Sequence, residues 1–429
     1  MAEIKPFKAA IYNQEKVKDL SKVICPPYDI ISPAQQERFH EKDPHNFICL
    51  LLGKDIPGED KYVRAAQYLK EWFNENILVE DNEPAIYFYT HEYRIQGEKK
   101  TRFGFICLLK LPDKQKSVFV HEHTRLAPKQ DRLKLLRRTK ANLSPIFVIF
   151  QDKKRIIQYI SKNGIEGTSP FITVYEEGNI HKLWRLSSGD LVVRVEEGLR
   201  NENIFIADGH HRYEVACIYR EEMRKRLGDK FTGREDFNYV MAYFTNTDQR
   251  GLSILPIHRL IRLGNALDIE DFKSKLKEHF SIEEVKEKTR FFFLMQKGGR
   301  TENVLGMYMK ARFYLLRLKN IKILDKAMGD KPKAYRTLDV SILNSLILRN
   351  ILGFEENDKE NIVYTVSSQE AIAAVDSASF DLVFFLNPVD IQRIIAVALA
   401  EERMPPKSTY FYPKVMSGLV ARKFNSNRE

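Results

Sequence analysis

Asn203-Ile-Phe-Ile-Ala-Asp-Gly-His-His-Arg-Tyr-Glu-Val-Ala-Cys-Ile-Tyr219 reads as a buried strand, a tight turn and the opening of a helix. Ile204 to Ala207 is a short apolar run of the kind buried on both faces of a sheet. Gly209 lacks a Cβ and tolerates positive φ at the turn. Val215, Ile218 and Tyr219 then recur at helical spacing. Asp208 stands where an N-cap or a metal-binding carboxylate would stand.

His210, His211 and Arg212 fall in the first turn of that helix. A helix N-terminus carries partial positive charge, so each surface cation there costs roughly 0.3–1 kcal/mol. Crowding them points to an anion that offsets them, and an Arg fork, imidazoles and backbone N–H groups suit a phosphate. The alternative is a capped turn with one core histidine and a surface arginine.

Working outward, 429 residues suffice for two or three domains. Hydrophobic residues make up 43% and charged residues 30%, the balance of a globular rather than a disordered chain. The net charge of +11 favours nucleotides, phosphorylated metabolites or nucleic acid as partners. Cys25, Cys49, Cys107 and Cys217 are scattered, with no CxxC pair, which excludes a disulfide framework and a zinc ribbon. Neither an apolar signal region nor a run long enough to cross a bilayer is present, so the expected location is cytoplasmic, away from membranes.

The segments expected are 1–160, 161–265 and 266–429. In the first, Pro26 and Pro27 stiffen a loop carrying Tyr28 and Asp29, which either lines a pocket or only leads into a helix capped by Ser32. Residues 33–78 read as helical, and Glu92–Ile95 and Thr101–Leu109 as a hairpin about Gln96-Gly97-Glu98-Lys99. Val118-Phe-Val-His-Glu-His-Thr-Arg125 reads as a strand, which would put His121 and His123 on one face and Glu122 on the other. The two histidines then contact phosphate or substrate, share a metal, or are structural. Glu122 is a candidate general base or a surface ion-pair member.

Lys129 to Lys140, with Arg132 inside it, forms a basic helix that is either a solvated face or an anion-steering rim. Residues 151–202 read as peripheral. His258-Arg259 is either an anion contact or part of an edge strand. Arg290–Gln296 and Val304–Met309 about Gly298-Gly299 read as a hairpin, and Leu338–Ile347 as a helix. Lys407, Ser408 and Thr409 offer an ammonium and two hydroxyls from a loop that is otherwise solvated, and Lys414 can join them.

Cys25-Pro-Pro-Tyr-Asp-Ile-Ile-Ser32, His121-Glu-His-Thr124 with Pro128-Lys-Gln-Asp-Arg-Leu133, Asp208-Gly-His-His-Arg212 and Met404-Pro-Pro-Lys-Ser-Thr-Tyr-Phe-Tyr-Pro-Lys414 resemble the domain of unknown function 1015 family. That name alone supplies no reaction. The central box is also similar to the phosphate-binding Gly-His-Arg box of the ParB/sulfiredoxin-like superfamily, which includes partition nucleotidases, sulfiredoxin and free serine kinases. The resemblance implies an α+β fold with mixed sheets, a ParB/sulfiredoxin-like core in 161–265 and an additional C-terminal α/β region closing the site. It further implies a nucleotide, ATP or ADP, with phosphates near Gly209, His210, His211 and Arg212, and Mg²⁺ held by Asp208. Sulfiredoxin chemistry needs a cysteine in this box; here Asp208 and the histidines stand instead, and Cys217 falls later in the helix.

The expected function is phosphoryl transfer on a small metabolite, serine-kinase-like. Arg212, His210, Lys407 and Lys129 or Arg132 would clamp phosphate oxygens, and Glu122 or His211 would move the proton. The same parts run equally as a phosphatase on a phosphometabolite such as phosphoserine. The rival is a non-catalytic nucleotide- or nucleic-acid-binding protein. A nucleic-acid partner is disfavoured, because few aromatics interleave with the basic run.

Overall fold

The computed structural model describes residues 2–113, 117–248, 250–263, 268–354 and 361–425. The boundary expected at 265/266 lies outside them. The chain packs as two compact units: Met1–Phe119, Thr124–Leu252 and Pro413–Glu429 form the larger, Val120–His123 and Ser253–Tyr412 the smaller. Both combine helices with sheets, an α+β architecture.

The larger unit is built on a nine-stranded mixed sheet. From edge to edge the strands are Val118–Phe119, Ile204–Asp208, Ile146–Phe150, Tyr239–Asn246, Glu98–Lys110, Ile86–Ile95, Asn179–Leu186 and Ile172–Glu176; Ile4–Lys5 also pairs with Glu98–Lys110. Ile146-Phe-Val-Ile-Phe150 is buried throughout, which fits its interior place. Gln96 and Gly97 both take positive φ (51° and 82°), the turn that matches the right-handed twist of a hairpin. Residues 151–202 are not peripheral. Their two strands join the sheet, and Asn179–Leu186 pairs with Ile86–Ile95 from Ile180↔Glu92 to Leu186↔Ile86. Their alternating burial leaves one face exposed, which explains the charged composition.

The span 33–78 is broken into helices Pro33–Lys42, Ile48–Leu51 and Lys61–Asn74. Ser32 and Gln35 close a capping box at the first. The helices Leu126–Thr139 and His210–Leu227 pack together, with Leu136, Val215, Tyr219 and Met223 in a shared apolar cluster.

The smaller unit holds an antiparallel six-stranded sheet ordered Phe280–Val285, Arg312–Leu318, Val304–Met309, Leu382–Phe385, His258–Ile261 and Ile362–Thr365. Arg290–Gln296 is not a strand: Lys288–Gly298 is a helix, and its Phe291 and Met295, one turn apart, pack into the sheet's core. The hairpin lies one element later, between Val304–Met309 and Arg312–Leu318, with Lys310 and Ala311 at positive φ. His258–Ile261 is an interior strand, paired on both sides, so the edge-strand expectation fails. The chain is helical from Asp339 to Ile351, longer than expected. Among the described residues, no helix is long and apolar enough to cross a membrane.

Candidate functional site

In the larger unit, strand Ile204–Asp208 hands over to the 18-residue helix His210–Leu227 through Gly209, at φ 86°. Gly209 is itself the N-cap, and no side chain caps the helix, so Asp208 is not the cap. Its carboxylate accepts instead from Arg212 Nη2 at 3.0 Å and, on its other oxygen, from the Lys414 ammonium. A Cβ at 209 would lie 2.9–3.0 Å from the Arg212 guanidinium, so glycine here serves both the backbone and the fold-back of that side chain. Arg212 Nη1 donates to the Pro145 carbonyl, while its Nε has no hydrogen-bond partner. Asp208, Arg212 and Lys414 are all largely buried, at 12%, 13% and 8% side-chain exposure. Two cations thus meet one carboxylate beside a positive helix end.

A cavity of about 60 Å³ is lined by Tyr28, Arg132, Asn142, Ser144, Arg212 and neighbouring apolar side chains. That is far below the roughly 300–1,000 Å³ of sites that enclose drug-sized ligands. Burial pushes the Tyr28 phenol up to about 12, and the Arg132 guanidinium sits 4.1 Å over its ring. Tyr28 therefore faces this region, whereas Asp29 is exposed. Two expected phosphate clamps already have carboxylates of their own. Lys129 Nζ donates to Glu214 at 3.1 Å, and Arg132 Nε donates to Asp131 at 2.7 Å. His210 is buried. His211 Nε2 accepts the Arg125 backbone N–H at 3.0 Å, which in neutral imidazole places the proton on Nδ1.

In the smaller unit, Glu122 Oε1 accepts the Lys407 backbone N–H at 3.1 Å, and the Lys407 carbonyl accepts from Arg259 Nη2 at 2.9 Å. His121 Nε2 lies 3.4 Å from Thr409 Oγ1, and the Ser408 hydroxyl donates to the Pro405 carbonyl. Ser408 and Thr409 are buried, so this loop is packed rather than solvated. His121 is buried and His123 exposed; the strand stops at Phe119, and the shared face expected for the two histidines does not form. Burial lowers the Arg259 guanidinium to about 10.

Mg²⁺ does not fit at Asp208. Both carboxylate oxygens are engaged by cations, which would repel a dication, and Mg²⁺ requires a set of free oxygen ligands. Among the described residues no three His, Cys, Asp or Glu side chains gather as a metal site. Cys217 is half-buried, with its thiol pushed up to about 11 by burial, the opposite of a reactive cysteine.

The fold and site define an α+β protein with a cation-rich turn at a helix N-terminus. Residues 4–341 match the family described as "Protein of unknown function (DUF1015)", and the chain belongs to it. The match takes in three of the four motifs, and Met404–Lys414 follows it. No curated protein matches the chain. Among solved structures, a free serine kinase in complex with AMP is similar at 11% identity and TM-score 0.33, over 69% of this chain and 83% of that one. SbnI with a C-terminal truncation, from Staphylococcus aureus, is similar at 12% identity and TM-score 0.36, over 73% and 86%. A conserved hypothetical protein from Pyrococcus furiosus is similar at 11% identity and TM-score 0.32, over 69% and 87%.

Proposed function

We propose that the protein is a phosphoryl-transfer enzyme acting on a small metabolite, with its phosphate-binding group at Asp208–Arg212 and Lys414. The observation that carries this reading is the clustering: Arg212 and Lys414 both meet the Asp208 carboxylate at a helix N-terminus with no side-chain cap, and the Arg212 Nε has no hydrogen-bond partner among the described residues. An incoming phosphate takes up the open Nε donor of Arg212 at the positive helix end. Transfer of this kind rests mainly on positioning and charge neutralisation. In the kinase direction ATP is the donor. The acceptor hydroxyl's oxygen bonds to the γ-phosphorus as the bond to the β-phosphate oxygen breaks, and ADP departs with the electron pair. The hydroxyl proton passes to His211 Nε2, which releases the Arg125 backbone N–H to receive it. With water as the acceptor, the same group hydrolyses a phosphometabolite such as phosphoserine.

A thermal-shift series with ATP, ADP, phosphoserine and inorganic phosphate tests this. At least one should raise the melting temperature, and Arg212→Gln should remove that rise. No response from the wild-type protein, or an undiminished response in Arg212→Gln, refutes the reading.

A further inference from the structure

Arg102 is fully buried in the interior strand Glu98–Lys110 of the larger unit. One of its amino groups, Nη1, donates to the Pro413 carbonyl. The other edge of the guanidinium, Nε and Nη2, has no hydrogen-bond partner among the described residues. That edge carries two parallel N–H donors, the pair that grips a carboxylate through both oxygens. Arg132 shows the usual outcome in this same unit, with Nε and Nη2 both on Asp131. Arg212, Arg220 and Arg422 likewise each have a carboxylate within ion-pair distance. Arg102 has none among the described residues, although an unneutralised buried cation is among the costliest things a core can hold.

The surroundings fit a ligand rather than an accident of packing. The guanidinium lies 4.8 Å from the Phe147 ring centroid and 5.1 Å from that of Tyr243. The Tyr243 hydroxyl sits near Arg102 and Thr245 but out of hydrogen-bonding geometry with both, a third donor with no acceptor. Gly104 makes room for that ring, since a Cβ there would fall 2.5 Å from it. Gly251 brings the chain over the top, so close that a Cβ would fall 2.7 Å from the Arg102 Cα. Across the neighbouring strands Arg102 is in register with His91, and His91 with His181. Tyr89 Oη is 2.7 Å from His181 Nδ1, and His181 Nε2 has no partner. Burial, then the Arg102 charge, holds His181 down to about 3, so it is neutral at pH 7.

We infer that Arg102 and the Tyr243 hydroxyl form a buried subsite for the carboxylate of a small monoanionic metabolite. The charge matches: one fixed cation flanked by neutral imidazoles balances a monocarboxylate, whereas a phosphate dianion would leave a buried negative charge. The two parallel donors meet the two carboxylate oxygens, and the hydroxyl adds a third contact. This goes beyond the phosphate group at Asp208 and does not depend on it.

The test compares melting of the full chain in sodium acetate and in sodium chloride at equal ionic strength. Acetate should raise the wild-type melting temperature above that in chloride. Arg102→Met should lose this response, and Arg102→Lys, which keeps the charge without the fork, should bind acetate at least about tenfold more weakly. Tyr243→Phe removes a hydroxyl with no partner, so it should fold as the wild type does and still respond less to acetate. An acetate response no larger than that of chloride, or one that survives intact in Arg102→Lys and Tyr243→Phe, overturns the inference. A parallel arm with inorganic phosphate reports on Arg212 separately, so one reading can fail while the other stands.

Discussion

Asp208→Asn is the sharpest probe of the site. The substitution keeps the shape but removes the charge that Arg212 and Lys414 both contact, and both side chains are largely buried. Breaking a buried ion pair by deleting one partner costs about 3–5 kcal/mol. Asparagine retains one carbonyl oxygen for one of the cations, which returns a charged hydrogen bond worth about 1.5–3 kcal/mol. Repulsion between the two freed cations and the helix end adds about 0.3–1 kcal/mol each. The expected loss is therefore about 3 kcal/mol. Urea unfolding followed by tryptophan fluorescence reads it directly, because the chain's 2 tryptophans, Trp72 and Trp184, both lie in the larger unit. In chloride buffer the full loss should appear. Inorganic phosphate at about a hundredfold its Kd should restore up to about 2.7 kcal/mol by standing in for the carboxylate. A loss below about 1 kcal/mol, or one that phosphate leaves unchanged, would show that the two cations are satisfied elsewhere.

Gly209→Ala should cost about 1–3 kcal/mol, because it combines a positive-φ backbone with a Cβ against the Arg212 guanidinium; the same urea assay checks it, and a neutral result would mean the turn relaxes freely. Gly104→Ala should be worse and should abolish any acetate response, since its Cβ would fall 2.3 Å from the Phe244 carbonyl oxygen and 2.5 Å from the Tyr243 ring; wild-type melting and acetate binding would contradict this. The larger unit should also lose stability in acid. Burial depresses His181 to about 3 and His91 well below its ordinary value, so below about pH 6.5 the unfolded chain takes up protons that the folded one refuses. Stability should fall by about 1.4 kcal/mol per pH unit per imidazole as the pH drops from 6.5 towards 4. His181→Phe should remove one imidazole's share of that slope, and urea midpoints with equal slopes in both proteins would sink the assignment.

The turn Asp208–Arg212 was legible because local rules act there: an apolar run, a glycine and helical spacing follow one another within a few residues. The Ser32 cap and the hairpin were readable for the same reason, although the turn is tighter than the four residues Gln96–Lys99, because Glu98 and Lys99 already belong to the second strand. What pairs across the fold was not. Arg102 sat inside a hairpin strand with nothing in the sequence to mark it, and its lack of a carboxylate among the described residues depends on His91, Tyr243 and Pro413 being its neighbours. His181 sat in a stretch whose charged face disguised a strand. The Phe291–Met295 stretch has the apolar content of either a strand or a helix, and only its packing against the sheet decides. At Lys407 the sequence drew attention to an ammonium, but the structural ties run through its backbone N–H and carbonyl.

The larger unit is threaded from three separated lengths of chain, and its last one begins at Pro413. Lys414 therefore leaves the ribosome 206 residues after the Asp208 it joins. At about 5–20 residues per second that is a delay on the order of ten to forty seconds. Throughout it the bridges Ala10↔Ala421 and Cys25↔Ser417 stay unmade, while all of Ser253–Tyr412 is being synthesised. Completion of this unit is a late event in synthesis, and the surfaces that await Pro413 onward are those on which a chaperone would act.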